Sequence, residues 1–298
     1  MADLLELKIH AIAARETGPH LLITGGVHGD EFEPMAAIRE LIEAPPELLR
    51  GRLTLVPVVN EAAFERGHRT AEDELDLART CPGRADGSIT ERTAFALSQL
   101  IRSADYYIDL HTGGTSLSVW PLAGYVLHRD ARVHEKQRQM ARAFNLPVVW
   151  GTDATLEGRS LSVARDANVP AIYTEYLGSA VCTRAGVQAY VAGCRNVMCL
   201  LGMLDAPLPP SQVQHAIEDP RPQSGHLQRC YPSPGDGYFE PAVELGQAVE
   251  KGQRLGHVVD TLGREPQEVL STQTGLVLVL RTLPAVRRGD SLAVILEL

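Results

Sequence analysis

Thr24-Gly25-Gly26-Val27-His28-Gly29-Asp30-Glu31 is the stretch on which the reading of this chain turns. It follows the apolar run Leu21-Leu22-Ile23 and precedes a helical pattern at residues 35–42. An imidazole and a carboxylate three residues apart, where a strand gives way to a helix, can point at one metal ion. A second imidazole lies downstream in Tyr106-Tyr107-Ile108-Asp109-Leu110-His111-Thr112-Gly113-Gly114. Two His and one Glu leave a fourth zinc position open for water, the pattern of a hydrolytic rather than a structural zinc site.

Around these motifs, strand-like and helix-like runs alternate through the first two-thirds of the chain. Strands are expected at residues 4–9, 21–24, 53–59, 106–110, 148–150 and 171–173. Helices are expected at 35–42, 92–101, 132–144, 161–167 and 185–204. Strands rich in Val, Ile and Leu, separated by helices, predict a mainly parallel sheet covered on both faces. Such sheets bind ligands at the carboxyl ends of their strands. His28, His111 and Glu175 are each expected just past such an end.

The pattern changes after Leu204. Ala206-Pro207-Leu208-Pro209-Pro210 ends the helical run, and further prolines follow at 220, 222, 232 and 234. From about residue 225 only short β-type runs are legible. The expected division is 1–205, a Pro-rich linker at 206–224, and a β-rich part at 225–298. That tail repeats internally: Gly237-Tyr238-Phe239 leads to Val249 and Gly252, as Gly275-Leu276-Val277 leads to Val286 and Gly289. The repeat resembles the halves of a biotinyl/lipoyl-like β-sandwich. The segment between them, Val259-Asp260-Thr261-Leu262-Gly263-Arg264, has no lysine to carry a swinging arm.

Composition narrows the function classes. The 298 residues are 44% hydrophobic and 22% charged, which is ordinary globular composition, with a net charge of -9. The only lysines are Lys8, Lys136 and Lys251, and nucleic-acid binding would need clustered basic residues. The N-terminal stretch does not read as a signal peptide, and no apolar run is long enough to span a membrane. The five cysteines, Cys81, Cys182, Cys194, Cys199 and Cys230, fit no metal or disulfide spacing. Reduced, mostly buried thiols in a cytoplasmic protein are expected. A small molecule is the expected partner, with neither nucleic acid nor membrane; self-association stays open.

Gly26-Val27-His28-Gly29-Asp30-Glu31, Asp109-Leu110-His111-Thr112-Gly113 and Thr174-Glu175 together resemble the succinylglutamate desuccinylase/aspartoacylase family, a branch of the zinc carboxypeptidase fold. The resemblance runs over nearly the whole chain, tail included. It implies an α/β zinc-carboxypeptidase-like domain, a mainly parallel mixed sheet flanked by helices, followed by a smaller all-β sandwich. It implies one Zn2+ held by His28, Glu31 and His111, with Glu175 as general base. In Arg69-Thr70-Ala71-Glu72-Asp73-Glu74-Leu75-Asp76-Leu77-Ala78-Arg79, it implies that Arg69 stabilises the oxyanion. Asp76 is then expected to accept the free N–H of a zinc ligand, and Arg79 to clamp a substrate carboxylate. Ala78 stands where the family has asparagine, which removes one donor to that carboxylate. Tyr173 and Tyr176 flank Glu175, and Tyr176 is a candidate donor to substrate. Glu33 reads as helix-start chemistry, His68 as a loop histidine, and Asn60 as a cap.

The expected activity is zinc-dependent hydrolysis of a small N-acyl amino acid. The run Leu77-Ala78-Arg79-Thr80-Cys81-Pro82-Gly83 tilts the resemblance towards deacetylases of N-acetylated diamino acids. Succinylglutamate or N-acetylaspartate would call for an additional cationic contact. The rivals are a peptide carboxypeptidase and a non-enzymatic binding module.

Overall fold

A computed structural model of the chain describes residues 5–222, 224–225 and 231–298. Its core is a mixed α/β arrangement around one large sheet. Four parallel strands carry the site: β2 (Glu16–Thr24), β3 (Arg50–Val56), β4 (Tyr106–His111) and β7 (Ala171–Gly178), side by side in the order β3-β2-β4-β7. β1 (His10–Ala13) closes one edge antiparallel to β3. The strand expected at 4–9 forms at β1 instead, where it finds that partner; Leu4 lies outside the described residues.

β5 (Leu117–Val126) runs antiparallel to β7 and was not anticipated. Its glycine and proline, Gly124 and Pro121, obscure the β pattern. Its far half pairs in parallel with β6 (Val148–Thr152), and β6 pairs with β8 (His215–Glu218). The segment expected as a linker thus supplies a strand to the main sheet.

Among the described residues, six α-helices cover the sheet: α1 (Phe32–Glu43), α2 (Glu61–Arg66), α3 (Ile89–Arg102), α4 (Ala131–Phe144), α5 (Ser160–Asp166) and α6 (Arg184–Leu200). Alternation along each strand divides the core. Leu21 and Ile23 pack with Ile38, Phe144 and Tyr190 of α1, α4 and α6. Leu22 and Tyr107 pack on the opposite face with Leu97 and Ile101 of α3 and Leu161 of α5. Burial on both faces explains why the central strands read as unbroken apolar runs.

The tail contains β9 (Gly237–Pro241), β10 (Ala248–Val249), β11 (Arg254–Val259), β12 (Gln267–Leu270), β13 (Gly275–Arg281), β14 (Ala285–Val286) and β15 (Ala293–Leu296). Among the described residues it has no helix. The internal repeat appears as strand exchange. β9 pairs with β11 and β13 with β15, but short β10 pairs with β13 and short β14 with β9. Phe239, Val258, Val277 and Ile295 fill the space between the two layers. β13 also pairs with the near half of β5, so the large sheet continues into the tail.

Candidate metal centre and active site

β2 ends at Thr24, and the loop that follows turns back under α2. Gly29 sits where a Cβ would lie 2.1 Å from the Ala63 carbonyl carbon, so no larger residue fits between His28 and Asp30. Asn60 caps α2 by accepting from the Ala63 N–H. Glu31 then takes the N-cap position of α1 without capping it, which leaves its carboxylate for the site.

His28, Glu31 and His111 are buried, and one donor atom from each lies within 4.8 Å of the others. His28 Nδ1 is 2.7 Å from Glu31 Oε1, and His111 Nδ1 is 3.0 Å from Glu31 Oε2. Both outward Nε2 atoms meet carboxylates: His28 faces Asp76 Oδ1 at 3.1 Å, and His111 faces Asp109 Oδ2 at 3.2 Å. An inward nitrogen free to ligate, with the outer N–H on a carboxylate, is the usual support of a metal-bound imidazole. Against the penalty of burial, Asp109 and Glu31 raise the His111 pKa well above its usual value. The donor set therefore fits a divalent cation.

Asp109 was not singled out by sequence. It also accepts from Thr24 Oγ1 at 2.8 Å and from Ser160 Oγ, which fixes its orientation. The available signal was Asp-x-His: residues i and i+2 of one strand share a face. Tyr190 of α6 donates to the His111 carbonyl and steadies the strand end.

Glu175 lies inside β7 rather than past its end, because β5 extends the pairing to Gly178. It is in register with His111 across β4 and β7, and both line one cavity. Glu175 Oε2 is buried and has no hydrogen-bond partner among the described residues. Burial pushes its carboxyl up to about 8, with Glu31 and Asp109 adding repulsion against the attraction of His111 and Arg69.

The loop at residues 69–79 supplies the opposite wall. Arg69 donates from Nη2 to Asp76 Oδ2 at 3.0 Å and stands 3.7 Å from Glu31 Oε1. Asp73 anchors this loop to the start of α3, accepting from Thr90 N–H at 3.0 Å, Thr90 Oγ1 at 2.7 Å and Ser88 Oγ at 2.5 Å. Arg79 and Ala78 line the cavity. Arg159, also unanticipated, lines it too and has no ion pair among the described residues. Gly158, at φ +79°, lies so close that a Cβ would be 2.5 Å from the Arg79 carbonyl oxygen. The two arginines therefore enter from adjoining backbones. The cavity encloses about 110 Å³.

Other candidates fall elsewhere. Tyr176 meets Tyr190 edge-on, with ring centroids 6.0 Å apart, on the α6 side, whereas Tyr173 lines the cavity. Buried Glu33 does more than begin a helix: it accepts from the Thr183 N–H at 3.1 Å and ties α1 to the start of α6. His68 bonds Thr70 at the surface. Cys81 and Cys194 are buried free thiols, Cys182 is exposed, and Cys230 lies outside the described residues. No helix among the described residues is long and apolar enough to cross a membrane.

Residues 17–201 match the family model of the succinylglutamate desuccinylase/aspartoacylase catalytic domain. An N-alpha-acetyl-L-2,4-diaminobutyric acid deacetylase from Halomonas elongata is 31% identical over 96% of this chain and 84% of its own. The product-bound ectoine utilization protein EutE (DoeB) from Ruegeria pomeroyi superposes with a TM-score of 0.86 at 30% identity, covering 96% of this chain and 87% of that one. A succinylglutamate desuccinylase from Silicibacter sp. TM1040 gives the same TM-score at 28% identity, over 96% and 87%. On the family model's match and the full-length likeness to the Halomonas protein, the chain belongs to the succinylglutamate desuccinylase/aspartoacylase family.

Proposed function

We propose that this protein is a zinc-dependent amidohydrolase that removes the acyl group from a small N-acyl amino acid, with an N-acetyl diamino acid as the leading substrate. The observation that carries the reading is the convergence of His28, Glu31 and His111 beside the unpartnered carboxylate oxygen of Glu175. The likeness to the Halomonas deacetylase along 96% of the chain supplies the leading substrate.

His28, Glu31 and His111 would hold the zinc, which supplies an acidified water and an electrophile for the scissile carbonyl. Glu175 takes the proton of the attacking water and delivers it to the departing amine. Its burial keeps it a stronger base than a solvated carboxylate. Arg69, held by Asp76, donates to the oxygen on which negative charge develops. Arg79 binds the amino-acid carboxylate. The small cavity favours such a substrate over a peptide. A main sheet completed by β8 and continued by β13 into the β-rich tail agrees with this role, the tail narrowing the approach.

A second substrate class within the same chemistry rests on Arg159. A half-buried guanidinium without an ion pair among the described residues suits a substrate with a second carboxylate, such as an N-succinyl or N-acyl acidic amino acid. The test is product release from a panel of N-acetyl, N-succinyl and N-formyl amino acids, with metal content measured in parallel. Chelator-sensitive release with about one zinc per chain is expected. Hydrolysis of peptides alone would overturn the deacylase reading, and absence of both metal and turnover would favour a binding module. Glu175→Ala should abolish turnover and keep the zinc; retained activity removes Glu175 as base.

A further inference from the structure

Tyr173 lines the cavity while its ring packs against two apolar clusters of the core. It lies two residues before Glu175 on β7, so both side chains leave the same face of the sheet. Directly opposite it on β5 is Gly124. A Cβ on Gly124 would stand 2.2 Å from one ring carbon of Tyr173 and 2.6 Å from its hydroxyl oxygen, so the phenol lies flat across the glycine. The hydroxyl is shut off from solvent and has no hydrogen-bond partner among the described residues. A buried phenol normally finds one. The charged groups acting on it are Glu175 and Arg159, which place it between that carboxylate and that guanidinium.

We infer that the Tyr173 hydroxyl is a substrate contact, donating a hydrogen bond to the amino-acid carboxylate held by Arg79, beside Arg159. This rests on the deacylase reading above. Burial raises the phenol's pKa far above neutrality, so the group stays a neutral donor. The empty register position at Gly124 then has a purpose: it lets a large ring lie close enough to the sheet to present its oxygen to substrate. Because the hydroxyl bonds none of the described residues, removing it takes away no contact among them and relieves an unsatisfied polar atom.

The test compares the zinc-loaded parent with Tyr173→Phe on the N-acyl amino acid that the parent hydrolyses best. KM should rise about ten- to a hundredfold, the scale of a hydrogen bond to a charged group, with kcat changed much less. The melting temperature should be unchanged or higher. As inhibitors, the product amino acid should outdo its α-carboxamide in the parent, and that advantage should shrink in Tyr173→Phe. Equal KM in the two proteins overturns the inference. So does an undiminished preference for the carboxylate inhibitor, or a lower melting temperature, which would mean that the hydroxyl serves the fold. A parent that hydrolyses no N-acyl amino acid defeats the deacylase reading itself, and the inference with it.

Discussion

At the residue scale, the site is built from carboxylates in opposed environments. Glu31 lies between two imidazoles; although burial opposes ionisation, His28 and His111 draw its pKa well below the ordinary range. Glu175 Oε2 bonds none of the described residues, and the carboxyl is raised to about 8, chiefly by burial. The raised group titrates near neutrality, with a measurable consequence in the metal-free protein. Its folded pKa exceeds its unfolded value, so its stabilising contribution is complete below about pH 4.5 and is lost as pH climbs through about 8. The melting temperature of metal-free Glu175→Gln should therefore gain on that of the parent as pH rises from 5 to 8, by a few degrees. A constant difference would show that the carboxyl is not raised. Asp109 acts through the outer nitrogen of His111. Asp109→Asn should weaken zinc binding about 10–100-fold in a competitive chelator titration. Unchanged affinity would leave Asp109 with a purely structural role beside Thr24 and Ser160.

At the scale of elements, the loop at residues 69–79 depends on Asp73, which binds it to the first turn of α3 by three hydrogen bonds. Those contacts hold the Asp73 pKa low against the effect of burial. Asp73→Ala should destabilise the protein by about 1–2 kcal/mol in urea unfolding and raise KM more than kcat, since Arg79 loses its platform before zinc is disturbed. An unchanged KM would mean that the loop keeps its place without this anchor. The elements also show what the sequence made legible. His28, Glu31 and His111 were readable because strand-then-turn chemistry marks their positions locally. Asp76 was expected beside one of the zinc-ligand imidazoles, and its oxygen lies 3.1 Å from the His28 ring. Arg159 and Tyr173 were not recognised, because their meaning comes from neighbours distant in sequence: Arg79 across Gly158, and Gly124 on an antiparallel strand. β5 escaped notice for the same reason, since its pairing with β7 and β13 is wholly non-local.

At the scale of the whole molecule, one apolar cluster spans the chain's two regions. Val119, Leu122, Val148 and Trp150 pack with Leu276, Leu278, Val279, Val294 and Leu296. A fragment of residues 1–205 would expose the first four of these and leave one edge of β5 partly unpaired. That fragment should aggregate or bind a hydrophobic dye; a soluble monomer that still takes up zinc would show the first region to be self-sufficient. The proline-rich character of residues 206–224 signalled a linker but hid β8, whose Glu218 accepts from Tyr125 at 2.6 Å and from Arg138 at 2.8 Å. Short strands with polar alternation carry little signal before their partners are known.

The continuation of β5 into β13 constrains how this chain could change by recombination. Val279 faces Val119, Leu280 faces Ser118, and Arg281 faces Leu117, on the strand whose other edge holds the one bearing Glu175. A tail grafted from a relative would have to reproduce that register, since a shift of one residue would turn its buried side chains to the wrong face. The tail is therefore not a cassette to be exchanged at a boundary: chimaeras should succeed only when β5 and β13 come from the same parent.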